Sequence, residues 1–160
     1  MGKTGWEKQF KDKKVLIMGL GLNGGGTGTA RFFAKEKARV TVTDLKPAES
    51  LKPSTDALRE YKITYILGRH REEDFAAADL IIRNPDVPRS SFFLETAKNH
   101  GVPVEMEDAL FAKLCSLPII GVTGTRGKTT TTMMIASLLK AAGKKVLIGG
   151  NIRGVSSLEL

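Results

Sequence analysis

The sequence predicts an α/β fold with parallel strands. Short apolar runs of strand length alternate with amphipathic stretches of helix length, and both halves of the chain share one plan of strand, glycine-rich loop and helix. Composition agrees: 41% hydrophobic and 26% charged residues in a chain of 160, with no apolar run long enough to cross a bilayer, describe a soluble globular protein.

Taken in order, five strands are expected first, at 14–19, 39–44, 63–67, 79–83 and 102–106, enough for a small doubly wound sheet. The intervening helices are expected at 24–37, 54–61, 72–77 and 90–99, the last stopped by His100-Gly101. After Met106 the pattern restarts: a helix at 107–114, a strand at 118–122, a second glycine-rich loop, a helix at 128–142 stopped by Gly143, and a strand at 145–148. A boundary near residue 106 follows, with a complete first domain at 1–106 and the opening β-loop-α-β unit of a second at 107–160. No internal repeat or low-complexity segment interrupts this plan.

The formal net charge of +8 is spread out, with +4 on residues 1–106 and +4 on residues 107–160. No basic block or aromatic-interleaved stripe is present, so the charge reads as a solvated surface and nucleic acid is not an expected partner. The first six residues lack the apolar stretch of a signal peptide, which places the chain in the cytoplasm by expectation. The single cysteine, Cys115, has no partner for an internal disulfide and reads as a core thiol.

The strongest chemical signal is the segment Gly121-Val122-Thr123-Gly124-Thr125-Arg126-Gly127-Lys128-Thr129, set between an apolar strand and an amphipathic helix. Gly124 and Gly127 permit the dihedrals that turn successive N–H groups inward, and with the helix N-terminus these form a nest for phosphate. Lys128 would reach the β- and γ-phosphates of ATP, and the Thr129 hydroxyl would ligate a bridging Mg²⁺. This is the start of a P-loop-type α/β ATPase domain, with one irregularity: the strict spacing places a glycine where the chain has Val122, and Gly121 stands one place early.

The first loop, Gly19-Leu20-Gly21-Leu22-Asn23-Gly24, is a full G-x-G-x-x-G after the first strand, and Asp44 ends the second strand where an acidic side chain accepts ribose hydroxyls. Together they predict a Rossmann-like amino-terminal domain that binds a diphosphate-bearing nucleotide. The residues alone do not name its base, and NAD is the first candidate.

With both loops in view the chain resembles the Mur ligases of peptidoglycan synthesis. The resemblance rests on the first glycine loop, on Asn84-Pro85-Asp86-Val87-Pro88 after the fourth strand, on Thr123 to Thr129, and on Gly149-Gly150-Asn151-Ile152. The ATP loop is shared with the folylpolyglutamate synthases; the first loop and the asparagine turn favour the D-glutamate-adding branch. The resemblance implies that ATP phosphorylates the carboxylate of UDP-N-acetylmuramoyl-L-alanine and that the amine of D-glutamate attacks the acyl phosphate to form an amide. It implies UDP, not NAD, in the first domain, with Leu22, Asn23 and Gly24 at the substrate diphosphate and Asp44, Leu45 and Lys46 near the uridine. Asn151 would touch the muramoyl part. Thr123, Gly124, Thr125, Arg126, Gly127, Lys128, Thr129 and Thr130 would surround ATP, with Lys128 catalytic and Thr129 on Mg²⁺.

Three residues depart from the family pattern: Arg126 in place of asparagine, Asp86 in place of glycine, and Leu45 in place of a residue often polar. The resemblance also implies further domains beyond residue 160, so these residues are expected to form an amino-terminal fragment that catalyses no ligation alone. Another Mur-like ligase, a non-catalytic nucleotide-sugar module and an NAD-dependent oxidoreductase are the alternatives. His70 and His100 read as surface residues, Met133 and Met134 as core packing, and Glu107 and Asp108 as dipole-favourable starts of a linker helix.

Overall fold

The computed structural model describes residues 7–22, 24–150 and 156–160. Five strands form one sheet: β1 (Lys14–Met18), β2 (Arg39–Asp44), β3 (Ile63–Leu67), β4 (Leu80–Arg83) and β5 (Val104–Glu105). Their order is β3-β2-β1-β4-β5 and every pairing is parallel. The chain winds outward from β1 to β3, then crosses back to β4, so the carboxyl ends of β1 and β4 lie side by side where the winding reverses.

β1 is central because it is apolar on both faces. Val15 and Ile17 join one core with Leu20, Phe33, Val42, Leu51 and Leu58, while Leu16 and Met18 join another with Phe75, Ile81, Leu94 and Ala97. The first core is covered by α1 (Glu7–Phe10), α2 (Gly25–Lys35), α3 (Ala48–Asp56) and α6 (Glu107–Leu114); the second by α4 (Glu72–Ala77) and α5 (Phe92–Asn99). Phe10 accounts for α1: its ring meets Phe33 edge-on at 5.0 Å and Phe32 at 6.2 Å, closing the bottom of the first core.

The predicted first-domain strands all form, β5 as two residues only. α3 begins at Ala48, whereas a helix was expected at 54–61. Pro53 lies inside it, and the chain passes after Asp56 into tighter turns, with Leu58 N–H on Thr55 O at 3.0 Å and Tyr61 N–H on Leu58 O at 2.9 Å. This arrangement buries Leu51 and Leu58 together.

Beyond α6 the two expected strands, 118–122 and 145–148, are not formed; both segments lie outside any ladder, and α7 (Lys128–Ala141) buries only Ala136. A parallel strand exists only through hydrogen bonds to neighbours, and two such segments with one helix do not supply them. Met133 and Met134 are accordingly exposed, not core, and Cys115 is half-buried with its thiol directed at the Leu117 carbonyl. A short 3₁₀ turn, Ser157–Glu159, packs back on α2 and α6. Among the described residues no helix is long and apolar enough to cross a membrane.

Candidate functional site

The first glycine loop sits at the reversal point of the sheet. Gly19, Gly21 and Gly24 all take positive φ (95°, 61° and 93°), and a Cβ on Gly19 would stand 2.8 Å from the Cβ of Asn84, so loop and asparagine turn are in contact. A Cβ on Gly26 would lie 2.3 Å from the Leu20 carbonyl oxygen, which fixes glycine there as the chain doubles back into α2.

Asp44 holds this loop in shape. Its Oδ2 accepts the N–H groups of Leu20 (2.9 Å) and Gly21 (3.1 Å), and its Oδ1 accepts that of Lys46 (2.9 Å). The residue is 8% exposed, and Ser54 adds a bond from its hydroxyl to the Gly21 carbonyl at 2.7 Å. The acidic side chain that the spacing assigned to a ribose thus spends three acceptor positions on the backbone. Leu22, Leu45 and Lys46 are exposed around the loop; Asn23 and Asn151 lie outside the described residues.

His70 belongs to the same edge of the sheet and is not the surface residue expected. Its ring is half-buried, edge-on to Phe75 at 5.7 Å and Phe93 at 5.0 Å. Thr43 Oγ1 lies 3.1 Å from the Arg69 carbonyl, to which it can donate, and shares a hydrogen bond with His70 Nδ1 at 2.7 Å. Burial lowers the His70 pKa, and the charge of Asp44 partly opposes the fall. Sequence reasoning missed this residue because its neighbours come from β2, α4 and α5. His100 is exposed, as expected, with Nδ1 on the Thr96 carbonyl at 2.9 Å.

Glu107 does more than start a linker helix. Its carboxylate accepts from Thr29 Oγ1 (3.0 Å) in α2 and from Ser156 Oγ (2.7 Å) and the Ser157 N–H (2.5 Å), while Asp108 accepts from Ser157 Oγ (2.7 Å).

The second loop is exposed from Thr123 through Thr130. Gly124 and Gly127 take φ of 150° and 77°, and Gly127 caps α7 in the left-handed conformation. Lys128 folds across the loop and donates Nζ–H to the Gly124 carbonyl at 2.7 Å. Thr125, Arg126, Thr129 and Thr130 are exposed beside it in the chain.

One feature separates the two helices behind the glycine loops from the others. α3, α4, α5 and α6 each carry a carboxylate of their own in the first turn, and α2 and α7 carry none. A left-handed glycine, Gly24 or Gly127, precedes each, and the Glu107 carboxylate lies beside the first turn of α2, 3.6 Å from where a Cβ on Gly25 would stand.

Residues 13–105 match the family model of the Mur ligase MurD-like amino-terminal domain, and residues 122–158 match that of the Mur ligase middle domain. The chain belongs to the Mur ligase family. A relative from Roseiflexus sp. (strain RS-1), named UDP-N-acetylmuramoylalanine--D-glutamate ligase, is 48% identical over 151 residues, which are 94% of this chain and 32% of the relative. One of the same name from Borreliella afzelii (strain PKo) is 42% identical, over 94% of this chain and 33% of the relative. Among solved structures, the UDP-N-acetylmuramate:L-alanyl-gamma-D-glutamyl-meso-diaminopimelate ligase of Neisseria meningitides is similar with a TM-score of 0.55 at 25% identity, over 82% of this chain and 40% of that one. The chain spans about a third of the length of the curated relatives it matches. The first match covers the first glycine loop and its sheet, and the second covers most of the second glycine loop with α7.

Proposed function

We propose that this chain carries the substrate- and ATP-binding parts of a cytoplasmic ligase that joins D-glutamate to UDP-N-acetylmuramoyl-L-alanine in peptidoglycan synthesis. The observation that carries the reading is the pair of helix N-termini, α2 and α7, that have no carboxylate of their own in the first turn and each stand behind a glycine loop. Two polyphosphate-bearing ligands, a UDP-linked substrate and ATP, fit two such ends. The names of the similar relatives supply the reaction class.

In this reading residues 1–106 hold the UDP-linked substrate, with the diphosphate at Leu22, Asn23 and Gly24 and the uridine near Asp44, Leu45 and Lys46. Asp44 acts through the loop it organises and offers its remaining acceptor capacity to the nucleoside. Asn151 meets the muramoyl part. Residues 107–160 begin the ATP domain: Thr123 to Thr130 wrap the phosphates, Lys128 exchanges the Gly124 carbonyl for phosphate oxygens, and Thr129 holds Mg²⁺. The donor set fits a polyphosphate, since it offers an ammonium group, threonine hydroxyls and helix N–H groups without a competing carboxylate. Bound Mg²⁺ supplies charge neutralisation at the transferring phosphoryl group. The exposed Arg126 adds a further cation beside the loop.

The deciding experiment uses the full-length enzyme with UDP-N-acetylmuramoyl-L-alanine, D-glutamate and ATP, followed by phosphate release. Lys128→Ala is expected to lower turnover by about a thousandfold or more while leaving UDP-substrate binding intact, because its cation acts where charge develops. Unchanged turnover would refute the ATP assignment. Residues 1–160 by themselves are expected to release no phosphate, since they span about a third of the relatives. Titration of NAD against the UDP-substrate tests the first site: tighter NAD binding would favour an oxidoreductase-type domain.

A further inference from the structure

A second hollow lies on the side of the sheet where β4 and β5 meet α5 and α6, behind the asparagine turn. It has a volume of about 600 Å³ and opens to solvent, and its lining includes three cations, Arg83, Arg89 and Lys98, beside Leu94, Val102 and Val104. Its one carboxylate, Glu105, is already paired with Lys113. Size and lining are those of a small-molecule site: mostly apolar, with a few convergent polar groups.

Arg83 is the unusual member. It is 8% exposed, yet among the described residues no carboxylate pairs with it. Its Nη1 is spread over three carbonyls of the adjoining turn, Val87 at 2.6 Å, Asn84 at 3.4 Å and Pro85 at 3.5 Å, and its Nη2 meets only the Met106 thioether at 2.9 Å. A thioether is a weak acceptor, and carbonyl dipoles do not cancel a buried positive charge. Arg89 and Lys98 are exposed and likewise have no ion pair among the described residues. A positive charge held in a low-dielectric wall with no counter-ion favours an anion that brings its own apolar surface.

We propose that this hollow binds a small amphiphilic organic anion, with its acidic group against Arg83, flanked by Arg89 and Lys98, and its apolar body on Leu94, Val102 and Val104. The shared chemistry is an anionic head on an apolar body, and the head is a carboxylate or a phosphate.

The test is an NMR titration of the full chain with phenylacetate and with phenyl phosphate, using benzyl alcohol and inorganic phosphate as the uncharged and the purely ionic controls. Saturable shifts at Gly101, Val102 and Ala109 with an aromatic anion are expected, at an affinity above that of either control. The tighter of the two aromatic probes identifies the head group. Replacing the exposed pair, Arg89→Ala with Lys98→Ala, is expected to weaken binding roughly tenfold, as the loss of charge-assisted contacts requires. The proposal fails if no saturable shift occurs at these residues, if benzyl alcohol or inorganic phosphate binds as well as the aromatic anions, or if the double variant binds unchanged.

Discussion

A carboxylate that accepts three main-chain amides does more for a loop than for a ligand. Asp44→Ala would leave the N–H groups of Leu20, Gly21 and Lys46 without their acceptor in a largely buried setting, a loss of about 2–3 kcal/mol. Urea unfolding should show that loss, and the affinity for UDP-N-acetylmuramoyl-L-alanine should fall at least about tenfold. The position of Asp44 was legible from its spacing to the glycines, but its use by the backbone was not, because a loop's return path is absent from a motif. His70 carries a pH prediction. Its folded pKa lies below the ordinary value, so the unfolded chain binds the proton first and stability falls as pH drops from about 6.5 toward the lowered value. His70→Asn should flatten that part of the stability-pH curve; an unaltered slope would assign the effect to other groups. Nothing in the structure explains Asp86 in place of glycine.

At the level of elements, legibility followed what is local. β2, β3, α4 and α6 have the bounds read from sequence, because their apolar runs and flanking stops suffice to define them. α3 does not: the helix expected at 54–61 lies at Ala48–Asp56, with Pro53 inside it and Leu51 buried. The 118–122 and 145–148 segments have the apolar runs and the place in the pattern of strands, and strand formation needs partners that these do not provide. α1 escaped notice because Phe10 acquires meaning only against Phe32 and Phe33. Close packing between elements gives a further test. Gly28 in α2 has no room for a side chain: a Cβ there would be 2.2 Å from that of Ser156. Gly28→Ala should displace the 3₁₀ turn and weaken the Glu107 bonds, seen as faster amide exchange at Ser157 with the sheet unaffected; unchanged exchange would show that the turn tolerates the shift.

On the scale of the molecule, the winding of the sheet brings the asparagine turn and the first glycine loop together at one edge, and both faces of that sheet are covered. The region after residue 117 differs. Leu117, Ile119, Ile120, Met134, Leu138 and Leu147 are 50–70% exposed. Hydrogen exchange should therefore be slow in β1 and fast throughout 118–150, and strong protection there would mean that this region finds partners within the chain. The order of the first domain was readable because every strand has its neighbours within 106 residues; the second region lacks such neighbours here.

Glu107 and Arg31 give this chain a mechanical property. Arg31 grips Glu159 through both carboxylate oxygens, at 3.1 and 3.0 Å, and Glu107 grips Ser156 and Ser157. Tension applied at Leu160 would pass first into α2 and α6, and only after those grips rupture would it travel back along α7, so a pulling trace should begin with a break at the rear of the first glycine loop.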